Sequence, residues 1–216
     1  MLVASEKNTR RLLTMDKEKK CIIGEEYIRN LRLEGKYCYL EEVQPKYFPY
    51  IIEWRNNPEN NKFLNQPFKL TMELQTKWYE EKYLKDHSQG LFIMVDKAND
   101  VPFGTIGWTD LDQKEKVCIG GRLLVGNWDY KGSIEWREAV YLFNSFIYNK
   151  LEVDEMYAHV VTDNIASLKW HNKWGFKRND NTVKFPEELV VNGMEQIELI
   201  RNYDMYLRHI SSIHDI

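Results

Sequence analysis

The segment that most constrains the fold is residues 123–176, where two strand-to-helix units follow one another along the chain. After a loop at residues 126–133, apolar side chains recur at i, i+3 and i+4 spacing, which predicts a long amphipathic helix: Trp136, Ala139, Val140, Phe143, Phe146 and Ile147. Residues 156–161 then predict a strand, Asn164 is placed to cap a second helix, and Gly175 is placed to end it. Helices that leave successive strands in this way pack on one sheet.

The remaining patterns predict more strands for the same sheet. Strand-like alternation or short apolar runs occupy residues 33–43, 91–95, 103–109 and 117–125. Near the C-terminus, Asn192-Gly193 stands between two further runs and predicts a hairpin, because both residues tolerate positive φ.

Two helices are predicted between the first strands. Apolar residues from Tyr47 to Trp54 follow helical spacing, and Thr71 is placed to cap a helix that extends to about Asp86. The order of strands and helices lacks the regular alternation of a dinucleotide-binding domain. It predicts the α/β (α+β) class, with helices packed around one sheet.

Composition limits the classes of function. The 216 residues suit one domain, with a charged N-terminal extension at residues 1–30 and the organised domain at residues 31–216. A formal net charge of −3 gives no global reason to bind nucleic acid or an anionic membrane. Three widely spaced cysteines without CxxC spacing predict no metal site, and reduced thiols suit a cytoplasmic protein. We expect no signal peptide or membrane span.

The loop before the long helix is a candidate phosphate site. Tyr130, Lys131, Gly132 and Ser133 lie where free backbone N–H groups and the positive end of the helix dipole meet. Gly132 lets the backbone approach an anion closely, and Lys131 adds charge. By itself, this junction is equally consistent with an ordinary strand-to-helix connection.

The second helix carries the most specific pattern. Asn164, Ser167 and His171 lie at i, i+3 and i+7 on one face, ahead of Gly175-Phe176. This segment resembles the signature of the GNAT N-acetyltransferases, and the resemblance extends over roughly residues 31–208. It implies a central, mostly antiparallel, twisted sheet flanked by helices, and transfer of an acetyl group from acetyl-CoA to an amine.

The resemblance also assigns roles around the loop. Gly132 matches the central glycine of the family's acetyl-CoA loop, so residues 130–134, up to Ile134, are expected to bind the cofactor with Asn164 and Ser167. A backbone N–H near Leu124 and Val125 is expected to polarise the thioester carbonyl. Asp129 and Ile134 depart from the family pattern, so pyrophosphate binding is expected to rely on backbone N–H groups and Lys131.

Two histidines are candidate catalytic groups. His171 stands where many family members have a tyrosine that protonates the leaving thiolate, and an imidazolium can do the same. The alternative is that His171 only packs beside Trp170 and Trp174. His159, on the predicted strand 156–161, is a candidate base or simply a core residue.

The acceptor is suggested by Trp54-Arg55-Asn56. This triplet resembles the ribosomal-protein and amino-sugar branch of the superfamily, and looks most like enzymes that acetylate nucleotide-linked amino sugars. Arg55 is expected to hold a phosphate or carboxylate, or else to pair with an acidic neighbour, and Trp54 to stack on a sugar or base. Alternatives are an acetyltransferase for protein N-terminal amines and a non-catalytic CoA-binding module. A homodimer is compatible with the sequence, although no heptad pattern supports one.

Overall fold

A computed structural model describes residues 31–210; the charged extension at residues 1–30 lies outside the described part. The strands are β1 (Arg32–Glu34), β2 (Cys38–Glu42), β3 (Gly90–Asp96), β4 (Val101–Asp112), β5 (Val117–Val125), β6 (Glu155–Val161), β7 (Lys177–Arg178), β8 (Val190–Val191) and β9 (Met194–Asn202). The α-helices are α1 (Phe48–Asn56), α2 (Pro58–Asn61), α3 (Met72–Glu81), α4 (Ile134–Asn149), α5 (Ile165–Lys173) and α6 (Tyr203–Ile210).

All of these strands belong to one sheet with the order β1-β2-β3-β4-β5-β6-β9-β7, and β8 pairs with β9. Every pairing is antiparallel except that of β5 with β6. Parallel neighbours need a crossover connection, and α4 provides it. The mixed fold with a mostly antiparallel sheet is therefore confirmed.

The parallel pair β5–β6 is joined over a short stretch only. Register pairs run from Val117↔Glu155 to Ile119↔Tyr157 and then stop. Beyond that point, β5 bulges against β4 at Arg122, whose φ is +51°. The hydroxyl of Thr105 in β4 donates to the Arg122 carbonyl at 2.6 Å and stabilises the bulge. The C-terminal halves of β5 and β6 thus diverge and leave a wedge between them.

Apolar cores cover both faces of the sheet. On one face, Phe146 of α4 packs between Phe92 and Trp108, with ring centroids 5.6 Å from each. On the other face, Phe48 and Ile51 of α1 pack against β3. The sheet is therefore a rigid platform whose wedge is the main break in its pairing.

A buried carboxylate ties α4 to the first hairpin. Glu138 is 4% exposed and accepts backbone hydrogen bonds from Lys36 at 2.8 Å, Tyr37 at 2.7 Å and Cys38 at 2.9 Å. A Cβ at Gly35 would lie 2.5 Å from the same carboxylate, so this turn requires glycine. The strand-like run at residues 33–43 is thus two strands around a turn.

Local capping signals in the sequence are confirmed. The side chain of Thr71 accepts from Leu74 N–H, and Asn164 accepts from Ser167 N–H. At the predicted hairpin, Asn192 and Gly193 have φ of +51° and +73°.

The expected end of the third helix was wrong. The helix stops at Glu81 instead of Asp86, and residues 83–85 form a 3₁₀ turn. Tyr83 is fully buried, and its hydroxyl donates to Glu42 at 2.9 Å. This tertiary contact, which local spacing does not reveal, ends the helix.

Candidate active site

The wedge between β5 and β6 opens into a cleft of about 420 Å³. Residues 120–125 form one wall and residues 159–161 the other, and α5 and the loop before α4 close its ends. A Cβ placed on Gly121 would meet no atom within 4 Å, so this strand position faces open space. The cleft can accept an elongated ligand laid between the strands.

Leu124 and Val125 line the cleft, as expected. The N–H of Gly126 donates to Phe103 of β4 at 2.8 Å. Because successive N–H groups of a strand point to opposite edges, the Val125 N–H points away from β4 and toward the cleft. It is a backbone donor aimed at the ligand side.

The N-terminus of α4 supplies further donors. Ser133 caps the helix by accepting from Trp136 N–H at 3.2 Å, and its own N–H is bonded to Tyr130. The N–H of Lys131 is bonded to Trp128. Donors for an anion are therefore the N–H groups of Gly132, Ile134 and Glu135, which have no intrahelical partner. Gly132 has φ of +79°, which favours glycine there.

Of the neighbouring loop side chains Tyr130 and Lys131, only the lysine lines the cleft. Tyr130 donates to Asp96 at 2.8 Å and stacks on Phe103 at 4.6 Å, so its ring anchors the loop and does not reach the cleft. Lys131 lines the cleft, with its ammonium 4.4 Å from the Trp128 ring. Asp129 is exposed, and its N–H is bonded to Asn127.

The predicted face of α5 forms the far end of the cleft. Asn164, Ser167 and His171 all line it. His171 Nδ1 lies 2.9 Å from the Ser167 carbonyl, which assigns its hydrogen to Nδ1 and the lone pair to Nε2. Burial lowers the pKa of His171 to about 4. At neutral pH this ring is therefore neutral and accepts hydrogen bonds at Nε2, whereas a general acid would have to be the imidazolium.

His159 lies on the β6 wall and forms a pair with Glu198 of β9. Its Nε2 donates to the Glu198 carboxylate at 3.1 Å, so the lone pair is on Nδ1, a buried atom with no hydrogen-bond partner among the residues that the structure describes. Burial acts to raise the pKa of Glu198, but hydrogen bonds from Lys184 N–H and Asn179 outweigh it, and the carboxyl pKa is below its usual range. The pair has the form of a base oriented by a carboxylate.

The Trp54-Arg55-Asn56 triplet divides among three roles. Trp54 is 6% exposed and packs so tightly on Gly126 that a Cβ there would be 2.0 Å from its ring, so the expected stacking on a sugar or base was wrong. Asn56 is occupied as well, because it both donates to and accepts from the Leu70 backbone at 2.8 Å. Only Arg55 reaches a cavity.

This second cavity has a volume of about 210 Å³ and adjoins the cleft, with which it shares Leu64 and residues 122–124. Arg55, Gln75 and Arg122 line it. No sequence signal singled out Gln75, Arg122 or Glu198, since each reaches the site through tertiary packing. The glycine pair that precedes Arg122 was the nearest signal of an irregular strand.

The described part of the chain, residues 31–210, holds no group of three or more His, Cys, Asp or Glu side chains arranged for a metal ion. None of its helices is long and apolar enough to cross a membrane.

A sheet that splays beside a helix N-terminus, with a lysine and free N–H groups at its mouth, is suited to an elongated ligand that carries phosphate. The model of the acetyltransferase (GNAT) domain family matches residues 38–177. N-acetyltransferase 9-like protein of Nematostella vectensis is 24% identical over 173 residues, which cover 72% of this chain and 82% of that protein.

Two solved structures share the fold. The apo form of FdhC, a nucleotide-linked sugar GNAT, has a TM-score of 0.66 at 19% identity and covers 85% of this chain and 96% of its own. Spermidine N-acetyltransferase from Vibrio cholerae, in complex with CoA and spermine, has a TM-score of 0.67 at 14% identity. The match covers 80% of this chain and 99% of that protein's chain. The chain belongs to the GNAT acetyltransferase family. It is an N-acetyltransferase, and membership of this family implies acetyl-CoA as the acyl donor.

Proposed function

We propose that this acetyltransferase acts on the primary amine of a small polar substrate, in particular a nucleotide-linked amino sugar. The observation that carries the proposal is that a smaller, arginine-lined cavity adjoins the cleft. A cavity of about 210 Å³ suits a small group better than a polypeptide segment, which disfavours a protein N-terminal amine. An open surface pocket of about 480 Å³, which shares Trp78 and Arg122 with this cavity, gives a larger acceptor room to extend outward.

Acetyl-CoA supplies an activated acyl group when it is bound. On the protein side, the N–H groups of Gly132, Ile134 and Glu135, together with Lys131, are suited to its pyrophosphate. The Val125 N–H is suited to polarise the thioester carbonyl. Asn164 and Ser167, at the start of α5, line the part of the cleft that would hold the rest of the ligand.

His159 is the better candidate for the proton acceptor. The amine must lose a proton to attack, and Nδ1 of His159 carries a lone pair while Glu198 holds the opposite nitrogen. This carboxylate stabilises the imidazolium that forms when Nδ1 takes the proton. His171 is a neutral acceptor that orients a donor in the cleft, because its imidazolium is scarce at neutral pH.

The first test is titration of acetyl-CoA into the wild type and Gly132→Asp by calorimetry. A carboxylate at Gly132 repels the pyrophosphate, so we expect Gly132→Asp to weaken binding by about tenfold or more. Gly193→Asp is the matched control, because Gly193 also has positive φ, at +73°, and open space around it. Equal weakening by both variants would assign the effect to backbone strain and count against the cofactor site.

Acceptors are then screened by thiol release, starting with nucleotide-linked amino sugars. With an accepted amine, His159→Gln should lower kcat by about 10²-fold or more, while leaving acetyl-CoA affinity within a factor of two. A kcat that survives this change would reject His159 as the base. Acetyl-CoA binding without transfer to any amine would favour the non-catalytic CoA-binding module.

A further inference from the structure

The cavity beside the cleft contains buried hydrogen-bond donors that no group within residues 31–210 accepts from. Arg122 directs its Nη2 to the Gln89 side-chain oxygen, while its Nη1 is buried without a hydrogen-bond partner. Gln75, which is 4% exposed, lines the same cavity, and its Nε2 is also buried without a partner. Unsatisfied buried donors are rare in folded proteins, and two of them facing one cavity call for an acceptor inside it, such as a bound ligand.

Arg55 brings a second guanidinium to this cavity. Its Nε donates to Gln66 at 2.6 Å, and none of the ion pairs within residues 31–210 involves it. Burial lowers the pKa of Arg55, and burial together with the charge of Arg55 lowers that of Arg122. Two cations therefore face one poorly solvated space.

The nearest carboxylates do not neutralise this pair. Asp86 and Asp110 act on Arg122 only at longer range, and Asp86 already accepts from Ser88 and Gln89. The Trp78 ring, 5.5 Å from the Arg122 guanidinium, offers a cation–π contact but no hydrogen-bond acceptor and no negative charge. A buried guanidinium with an unsatisfied donor is costly, so the arrangement is best explained by a ligand that brings acceptor oxygens and negative charge.

We infer that Arg55, Gln75 and Arg122 form a subsite for an oxyanion, and that the acceptor is an amine that also carries a phosphate or carboxylate group. This inference rests on the proposed function for the amine, whereas the oxyanion subsite stands on its own geometry. Guanidinium groups match both oxyanions, because each offers paired acceptor oxygens. Since the cavity and the cleft share Leu64 and residues 122–124, an anion held here leaves an attached amine next to the cleft.

The subsite is tested by calorimetric titration with inorganic phosphate and, separately, with succinate. The two probes distinguish a phosphate subsite from a carboxylate subsite. We expect saturable binding of at least one probe, weakened about tenfold or more by Arg122→Gln and by Arg55→Gln. Lys131→Gln is the control for anion binding at the N-terminus of α4 and should change the affinity less than twofold. Absence of millimolar binding, or equal loss in all three variants, would overturn the subsite.

Two more variants serve as controls for misfolding and for loss of charge. Arg122→Lys retains the charge and should restore part of the affinity lost in Arg122→Gln. Gln75→Leu removes the unpartnered amide without touching a cation and should weaken the same probe severalfold. If Arg122→Lys binds no better than Arg122→Gln and Gln75→Leu has no effect, the loss reflects packing and the subsite is rejected.

Kinetics with matched amines links the subsite to the acceptor. Phosphoethanolamine is compared with ethanolamine, and β-alanine with propylamine. The wild type should favour one anionic member by about tenfold or more in kcat/KM, and Arg122→Gln should remove the preference. A wild type that acetylates both members of each pair equally would reject the anionic acceptor. Probe binding without acetylation of any amine would reject the proposed function and retain the subsite.

Discussion

Two arginines on opposite faces of the sheet differ in how fully their guanidinium donors are hydrogen-bonded. Arg201, beneath α4, has no solvent exposure, yet Trp174 O, Tyr148 Oη and Asn144 Oδ1 accept from its guanidinium. Among residues 31–210, Arg122, which faces α1 and α3, donates one hydrogen bond, to the Gln89 oxygen, and retains a buried donor without a partner. A buried cation whose bonds are completed by the chain is structural, and one whose bonds are incomplete points to a ligand.

Arg201→Met tests whether the three hydrogen bonds of the Arg201 guanidinium stabilise the fold. Methionine retains the volume but leaves the Trp174 carbonyl, the Tyr148 hydroxyl and the Asn144 amide without their donor. We expect the free energy of unfolding to fall by about 3 to 5 kcal/mol, since each buried group left unsatisfied costs about 1 to 3 kcal/mol. Urea unfolding measures it. A loss below about 1 kcal/mol would mean that these bonds contribute little.

Glu138 is a buried anion whose carboxylate, like the guanidinium of Arg201, is fully hydrogen-bonded within the fold. Glu138→Gln keeps the shape but places an NH₂ group against the backbone donors of residues 36–38, and it removes the charge. We expect a loss of about 2 to 3 kcal/mol in the free energy of unfolding, because hydrogen bonds to charged groups contribute most. Glu80→Gln, on the exposed face of α3, should change stability by less than about 0.5 kcal/mol. Similar values for both variants would contradict a structural role.

His171, which lies beside Arg201, is expected to make the free energy of unfolding depend on pH. Burial and the Arg201 charge hold its pKa at about 4, below the 6.5 of the unfolded chain. Between these values the unfolded state binds more protons, so stability is lost as pH falls from about 6.5 toward 4. At about pH 5 the loss should reach about 1 to 2 kcal/mol relative to neutral pH.

The His171 prediction is checked by urea unfolding at both pH values. His171→Gln should flatten this part of the profile, because glutamine does not titrate. The Gln variant also retains a side chain that can bond within α5. An unchanged acid limb in His171→Gln would assign the titration to another group.

Local patterns predicted the parts of the site that lie within single elements. The spacing of Asn164, Ser167 and His171 fixes one helix face whatever the rest of the chain does, and the structure places all three on the cleft. Gly132 at positive φ likewise follows from the loop itself.

Other parts of the site depend on packing between distant segments. Trp54 and Arg55 are adjacent on α1, and only the position of Gly126 decides that Trp54 is buried while Arg55 reaches the cavity. Arg122 joins the site because a bulge against β4 turns its backbone, and an isolated strand pattern does not reveal a bulge. The same holds for Glu198, which register alone brings opposite His159.

Of the two arginines, Arg122 is expected to contribute less to the free energy of unfolding. Arg122→Met is the same substitution as at Arg201, in a side chain whose guanidinium donates to Gln89 where that of Arg201 donates to three acceptors. Removing a poorly compensated buried cation offsets the lost contact with Trp78, so the free energy of unfolding should stay within about 1 kcal/mol of wild type or increase. Binding of the anionic probe should nevertheless fall about tenfold or more. If urea unfolding instead shows Arg122→Met to be as destabilised as Arg201→Met, both arginines are structural and the contrast between the two faces of the sheet is lost.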